Sequence, residues 1–359
     1  MDPVGSLATR SPRRGSVAAQ PPGDHAGSVR TDSPHRPASR RPRLVVVGAR
    51  QQRHGLGAYL ARHLAAAGAE IVAVVGSRLA TAQRAAAELE AALGHRPVPL
   101  AHSDDVERLP DLHGLVIAAP HEVHAPWLRW GVGRGLHVLC EKPLVWGGSD
   151  AASVAAAAAR RCQQRGRHLW VLAQWPMALE ALVRLHPGLE LGSARRLEVH
   201  LSPPSRGPEM VPDSLPHALS LAYALCPDDR PRLQDVRGAW ADEEGRAGTL
   251  AWVHVAGERR LEVEVRLEQG GASPRPLAWA VDGCWARREV GEHYAMELVH
   301  GERRVALPDP YASLAARFVR ALAEGEPPRV DPSATHGVAH LLELAAALPA
   351  LPVTEIPYP

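Results

Sequence analysis

Between Leu44 and Gln174 the chain alternates two patterns. Short, unbroken apolar runs end in glycine, proline or a charged residue. The longer segments between them repeat their apolar positions every three or four residues. Leu44-Val45-Val46-Val47-Gly48 has the form of a strand buried on both faces and stopped by a turn. Gly55-Leu56-Gly57 then opens a helix whose Leu60, Leu64 and Ala67 share one face. A strand follows from Glu70 to Val75, then an alanine-rich helix from Ala80 to Leu93 and a weak strand near Pro97 to Ala101. Leu115 to Pro120 reads as a buried strand with its turn, His121 to Gly133 as a helix, and His137 to Cys140 as the next strand. A helix from Ser149 to Arg165 and a strand from Leu169 to Gln174 complete the series. Strands alternating with helices imply βαβ units and a parallel sheet. Such sheets bind ligands outside the carboxyl ends of their strands. Gly48, Ser77, Pro120 and Glu141 stand at such ends, so they are expected to line one crevice.

After about residue 176 the pattern changes. Helices are expected from Met177 to Leu185 and from Pro212 to Leu225, with a strand near Arg195 to Leu201. From Gln234 to Leu307 several strands alternate apolar and polar positions, most clearly Arg260-Leu261-Glu262-Val263-Glu264-Val265-Arg266-Leu267. That alternation belongs to antiparallel strands with one wet face. Two helices, Tyr311 to Ala323 and Pro332 to Leu348, close the chain. The first 42 residues are rich in Pro, Ser, Gly and Arg, lack apolar periodicity and read as a disordered tail. They have no apolar core of a secretory signal. A start site set too far upstream would look the same.

At 359 residues and 45% hydrophobic content the chain can hold about two domains with sizeable cores. A net charge of +2 gives no electrostatic footprint for nucleic acid. No apolar run is long enough for a membrane span. Cys140, Cys162, Cys226 and Cys284 lie far apart without a C-x-x-C pair. They suggest neither a metal site nor a disulfide framework, and a reduced, cytoplasmic setting fits them.

Lysine occurs once, at Lys142, while every other basic side chain is arginine. A codon bias could leave one lysine by accident. Its neighbours argue for more: Glu141 before it, Pro143 after it, and an apolar run from Leu136 to Cys140 leading in. This is a buried strand ending in a charged, rigid turn. Arginine cannot replace lysine where a compact point charge or a shared proton is needed.

The strand–glycine–helix at Gly48 is the setting of a dinucleotide-binding turn, where glycines admit the pyrophosphate to a helix N-terminus. The loop is irregular: Arg50 and Arg53 stand where G-x-G-x-x-G needs glycine, and Gly55 and Gly57 come later. Arg50, Arg53 and the helix start could hold phosphate, or the arginines could be solvated in a surface turn. At the end of the second strand Ser77-Arg78 replaces the acidic residue usual for the ribose 2′-hydroxyl. A hydroxyl and a guanidinium suit a 2′-phosphate, which favours NADP(H) over NAD(H). Arg78 could also be a solvated residue at a helix start.

Together these features resemble the Gfo/Idh/MocA family of glucose–fructose oxidoreductase and inositol dehydrogenase-like proteins, from Leu44 to the C-terminus. The most specific match is Gly135 to Pro143, ending in Glu141-Lys142-Pro143. Ala119-Pro120-His121-Glu122-Val123-His124 is similar to the family's turn after the fourth strand, and Asp213-Ser214-Leu215-Pro216-His217 to its D-x-x-x-H helix start. Gly325-Glu326-Pro327-Pro328, between the last two helices, also resembles the family's ending. The resemblance implies a Rossmann doubly wound parallel sheet over residues 43–175. An α+β domain with a mainly antiparallel open sheet would follow over 176–359, its last helices packing back on the first. It implies a nicotinamide cofactor, a small polar substrate such as a sugar or cyclitol, and dimers or tetramers formed through the second sheet.

Carried over, Lys142 lies near the nicotinamide and the reacting oxygen, with Asp213 and His217 projecting into the same cleft. Oxidising an alcohol requires removal of its proton, which an imidazole such as His217 can accept. Asp213, one helical turn earlier, could orient the imidazole or bind substrate. Lys142 would stabilise a developing alkoxide. Glu141 could hold Lys142 or the nicotinamide ribose, and Pro143 could fix the turn through a cis bond. Ala119 and Pro120 would border the cofactor. His124 divides evenly between a cofactor contact and a helix-start residue.

The chain also departs from the family. Ala173-Gln174-Trp175-Pro176-Met177 offers neither the Asn nor the Arg usual after the sixth strand. Ser214-Leu215-Pro216 suggests a greasier pocket. Two other readings remain: a tightly held dinucleotide used for redox-neutral elimination or glycoside cleavage, and a non-catalytic sensor. Retention of Lys142, Asp213 and His217 argues against the sensor, while the altered glycine loop argues mildly for it.

Overall fold

The computed structural model describes residues 41–49, 56–292 and 295–351. The amino-terminal tail and the loop carrying Arg50, Arg53 and Gly55 lie outside them. β1 (Arg43–Val47) sits at the centre of a six-stranded parallel sheet of order β3-β2-β1-β4-β5-β6. The other strands are β2 (Glu70–Val75), β3 (Val98–Leu100), β4 (Gly114–Ile117), β5 (His137–Cys140) and β6 (Leu169–Val171). Leu44 and Val46 pack among α1 (Leu56–Ala66), α2 (Leu79–Leu93) and α8 (Pro310–Glu324). Val45 and Val47 face the opposite layer, where α4 (His124–Gly133) and α5 (Ala151–Gln164) lie beyond the short α3 (Ser103–Val106). Burial on both faces is why the run is unbroken rather than alternating.

The strand order reverses between β1 and β4, so the crevice of this doubly wound sheet opens there. The hydrogen-bond ladder continues past the strand ends. Gly48 N donates to Val75 O (2.9 Å), Ala118 N to Val47 O (2.9 Å), Glu141 N to Ile117 O (2.7 Å) and Leu172 N to Cys140 O (2.8 Å). These bonds set the turns after β1, β4 and β5 in one row.

The second sheet has eight strands in the order β14-β13-β12-β11-β7-β10-β9-β8. They are β7 (Arg196–Leu201), β8 (Arg232–Trp240), β9 (Ala247–Ala256), β10 (Arg259–Glu268), β11 (Leu277–Val281), β12 (Cys284–Val290), β13 (Met296–His300) and β14 (Arg303–Leu307). Only β7 and β10 pair in parallel. Leu261, Val263, Val265 and Leu267 face inward among α6 (Leu179–Leu185), α7 (Met210–Leu225) and α10 (Gly337–Ala346), as the alternation predicts. Glu262, Glu264 and Arg266 take the outer face.

Two expected elements differ. The final helix is broken into α9 (Pro332–Thr335) and α10, because His336 leaves helical geometry and its Nε2 meets Asp229 O at 2.9 Å. β6 stops at Val171, where Ala173 N turns back onto Val171 O (2.7 Å). This early stop releases Trp175 toward the second sheet, where it packs with Trp279. α8 is fixed by Asp309, whose Oδ1 accepts from Tyr311 N (2.8 Å) and Ala312 N (3.2 Å) and whose Oδ2 accepts from the Tyr59 hydroxyl.

Candidate active site

β5 delivers Glu141 and Lys142 to the crevice, and the Lys142–Pro143 bond is cis. Glu141 Oε2 accepts from Lys142 N (3.0 Å). α7 brings Asp213 and His217 to the opposite wall. Pro216 lies within α7 and cannot donate to the carbonyl one turn back, which loosens the helix here. Lys142 Nζ crosses the cleft and donates to Asp213 O (2.5 Å), with Asp213 Oδ1 at 3.5 Å. The sequence-derived trio therefore meets in space, although Lys142 and Asp213 are 71 positions apart.

His217 is held in its neutral form. Burial lowers its pKa well below the usual imidazole value, and the charges of Lys142, Arg288 and Arg275 lower it further. Its Nδ1 is buried without a hydrogen-bond partner among the described residues, and its ring meets the Trp175 indole edge-on at 6.1 Å. Burial raises the Glu141 carboxyl, opposed by Lys142.

Three further residues enter the site that the motifs did not signal. Arg275 Nη1 donates to Asp213 Oδ1 (3.1 Å) and Oδ2 (3.0 Å). Arg288, from β12, lies over the Trp175 ring at 5.3 Å. Tyr311, at the start of α8, is close enough for Glu141 and Arg288 to act on its phenol, whose pKa burial pushes up. Asp309-Pro310, a capping residue followed by a helix-starting proline, was the one local signal for the placement of Tyr311. Arg288 thus brings a guanidinium beside Trp175, just after β6, from another sheet. Leu215 turns into the core at 0% exposure, so the greasier pocket expected of Ser214-Leu215-Pro216 reduces to Pro216.

Gly48 and Gly57 form the cradle of the crevice. Gly48 has φ +88°, and a Cβ there would stand 2.6 Å from Ala118 O and 2.7 Å from the Ala119 backbone. A Cβ on Gly57 would stand 2.4 Å from Gly48 O. Both positions bring backbone against backbone at the strand-order reversal, as a dinucleotide turn requires, so the residues present fit such a cofactor. Gly48→Ala is expected to cost about 2–3 kcal/mol through strain and overlap, read by chemical denaturation. Ser77 and Arg78 are exposed at the end of β2, and Arg78 precedes α2. Ala119 borders Gly48, and Pro120 follows it in the turn after β4. His124 is set apart. It is 1% exposed, with Nδ1 2.9 Å from Pro143 O and Nε2 2.7 Å from Ala119 O, so it braces two turns.

Residues 42–171 match the oxidoreductase family described as GFO_IDH_MocA, NAD-binding Rossmann fold. The match covers 130 of the 359 residues. A D-xylose 1-dehydrogenase (NADP(+)) of Haloferax volcanii is 38% identical over 77 residues, 21% of this chain and 24% of that protein. An inositol 2-dehydrogenase of Saccharopolyspora erythraea is 35% identical over 108 residues, 29% of this chain and 30% of that protein. The chain thus matches well under half the length of these curated relatives. Likeness to solved structures is broader. The UDP-N-acetylglucosamine 3-dehydrogenase GnnA of Acidithiobacillus ferrooxidans is 20% identical, with a TM-score of 0.62 over 86% of this chain and 98% of that one. Apo scyllo-inositol dehydrogenase of Lactobacillus casei is 14% identical, with a TM-score of 0.65 over 87% and 97%. At these identities the likeness is one of fold, and it spans both sheets.

Proposed function

We propose that the chain is an NADP(H)-preferring oxidoreductase acting on a hydroxyl or carbonyl carbon of a small polar metabolite of the sugar or cyclitol kind. The observation that carries the reading is Lys142 Nζ seated on Asp213, with His217 one turn further along α7. Bound in the crevice, the nicotinamide would accept or supply hydride. Around it, Gly48, Gly57, Ala119 and Pro120 would admit the dinucleotide, and Glu141 would hold the Lys142 turn. Arg50, Arg53 and Gly55 keep their proposed phosphate role from sequence alone. Neutral His217 would take the substrate O–H proton, and Lys142 would stabilise the alkoxide. Asp213 would hold Lys142 and Arg275 in position.

Support for the cofactor and substrate comes from two sides. Among similar proteins are an NADP(+) xylose dehydrogenase and a KijD10 3-ketoreductase of Actinomadura kijaniata in complex with NADP. In this chain, Arg78 is free of ion pairs among the described residues, at the end of β2. Fluorescence titration tests the preference. NADPH should bind more tightly than NADH, and Arg78→Ala should weaken NADPH by about 10-fold or more, the worth of charged hydrogen bonds to phosphate. Equal wild-type affinities would remove the role given to Arg78, and binding of neither would remove the enzyme reading. A stoichiometric bound dinucleotide with no net change at 340 nm would favour redox-neutral elimination instead. We also propose that copies pair through the outer face of the second sheet, which light scattering would test.

A further inference from the structure

Three cations stand around the cleft, and only two have a carboxylate. Lys142 and Arg275 both rest on Asp213. Arg288 makes no ion pair among the described residues. Its one hydrogen bond there runs from Nη2 to a neutral acceptor, Arg275 O, at 2.5 Å. Its outward neighbours on β12 behave differently. Arg287 and Glu289 pair with each other, and Glu289 also takes Arg304. Strand alternation turns Arg288 inward, onto the Trp175 ring. Its Nε is buried without a partner among the described residues, and so is Trp175 Nε1 beneath it.

A guanidinium does not lose its proton in a protein, so this charge cannot be removed by titration. A partly buried charge without a counter-ion is costly unless something else answers it. Glu141 also acts on the cluster, and its carboxylate accepts from Lys142 N, not from Arg288. The cleft therefore keeps at least one positive charge at neutral pH. Arg288 lies over the Trp175 ring, which packs edge-on against His217, so this charge lies beside the proposed reacting centre.

We infer that the substrate carries a carboxylate and that Arg288, stacked on Trp175, receives it. One unpaired, planar guanidinium and one excess charge suit a monoanion with a flat pair of oxygens. A phosphate dianion would need a second uncompensated cation, and Asp213 already offsets the charge of Arg275 through its Nη1. The substrate class becomes a sugar acid or other polyhydroxy acid whose reacting hydroxyl lies between Lys142 and His217. This rests on the oxidoreductase reading of the same cleft.

The test measures equilibrium binding to the NADPH-saturated full chain by calorimetry, and turnover with NADP+ at 340 nm, for gluconate, glucuronate and galacturonate against glucose and glucose 6-phosphate. Wild-type protein should prefer the carboxylates. Arg288→Gln should lower the carboxylate-to-glucose ratio by roughly 10- to 150-fold, the equivalent of hydrogen bonds to a charged group. Arg288→Lys, which keeps the charge and loses the fork, should lower it less. An unchanged ratio in Arg288→Gln overturns the inference, as does absence of any preference over glucose. A preference for glucose 6-phosphate that Arg288→Gln abolishes assigns the site to phosphate and overturns the carboxylate. Carboxylate binding that depends on Arg288 without redox turnover keeps this site and removes the oxidoreductase reading. Turnover of glucose without any carboxylate preference does the reverse.

Discussion

Lys142→Met is expected to lower kcat by roughly 100- to 1,000-fold while leaving the NADPH affinity within about threefold, since a preorganised charge at a developing oxyanion is worth that much. The side chain lengths are similar, so the substitution removes charge with little change of volume. Asp213 keeps its two contacts from Arg275 and does not become an unpaired carboxylate. The loss therefore reports the missing cation and not a collapsed wall. Lys142→Arg should recover little. The ammonium sits 2.5 Å from Asp213 O, and the broader guanidinium does not fit as a point charge between that carbonyl and a substrate oxygen. Single-turnover absorbance at 340 nm, with dinucleotide affinity measured separately, checks both variants. A sensor would keep its ligand response in Lys142→Met, and turnover within about fivefold of wild type would sink the electrostatic role.

Much of this site was legible because its chemistry lies at places where local pattern is strong. The apolar run to Cys140 required a buried strand, and the Glu-Lys-Pro turn had to stand at its carboxyl end. Gly48 was legible for the same reason, since the strand had to end at a close backbone approach. Arg288 was not legible. It sits in an alternating strand among Arg287 and Glu289, and nothing local distinguishes an inward arginine from an outward one. Its partner Trp175 was visible only as the absence of an expected motif. The break at His336 escaped for a related reason, because the hydrogen bond to Asp229 O is a tertiary choice that helical periodicity does not encode. Leu215 shows the opposite error. Its motif context suggested the pocket, while its helix face put it in the core. Tertiary pairing across long separations decides such cases, and it decided where the positive charge of the cleft collects.

That charge sets the second large effect. His217→Ala is expected to lower kcat/KM for alcohol oxidation by roughly 100- to 10,000-fold, the range for loss of a positioned general base. The pH profile gives the sharper result. A base works only when unprotonated, so activity falls as pH drops through its pKa. Burial, then Lys142, Arg288 and Arg275, hold the His217 pKa well below the ordinary value of 6.5. The wild-type acid limb should therefore lie well below pH 6.5, and kcat/KM should be flat between pH 6.5 and 8. The stability sign agrees. The unfolded chain binds the proton first on acidification, so His217 makes stability rise with pH between its folded pKa and 6.5, with the contribution lost toward acid. Removing one cation should move the limb up only in part, because burial is the largest cause. Arg275→Gln takes away a charge that acts on the imidazole without touching the Lys142 contact to Asp213 O. Its acid limb should shift toward 6.5, and the imidazole resonances should titrate at the matching higher pH. A wild-type limb at 6.5, or an Arg275→Gln limb that moves further toward acid, would show that another group carries the proton.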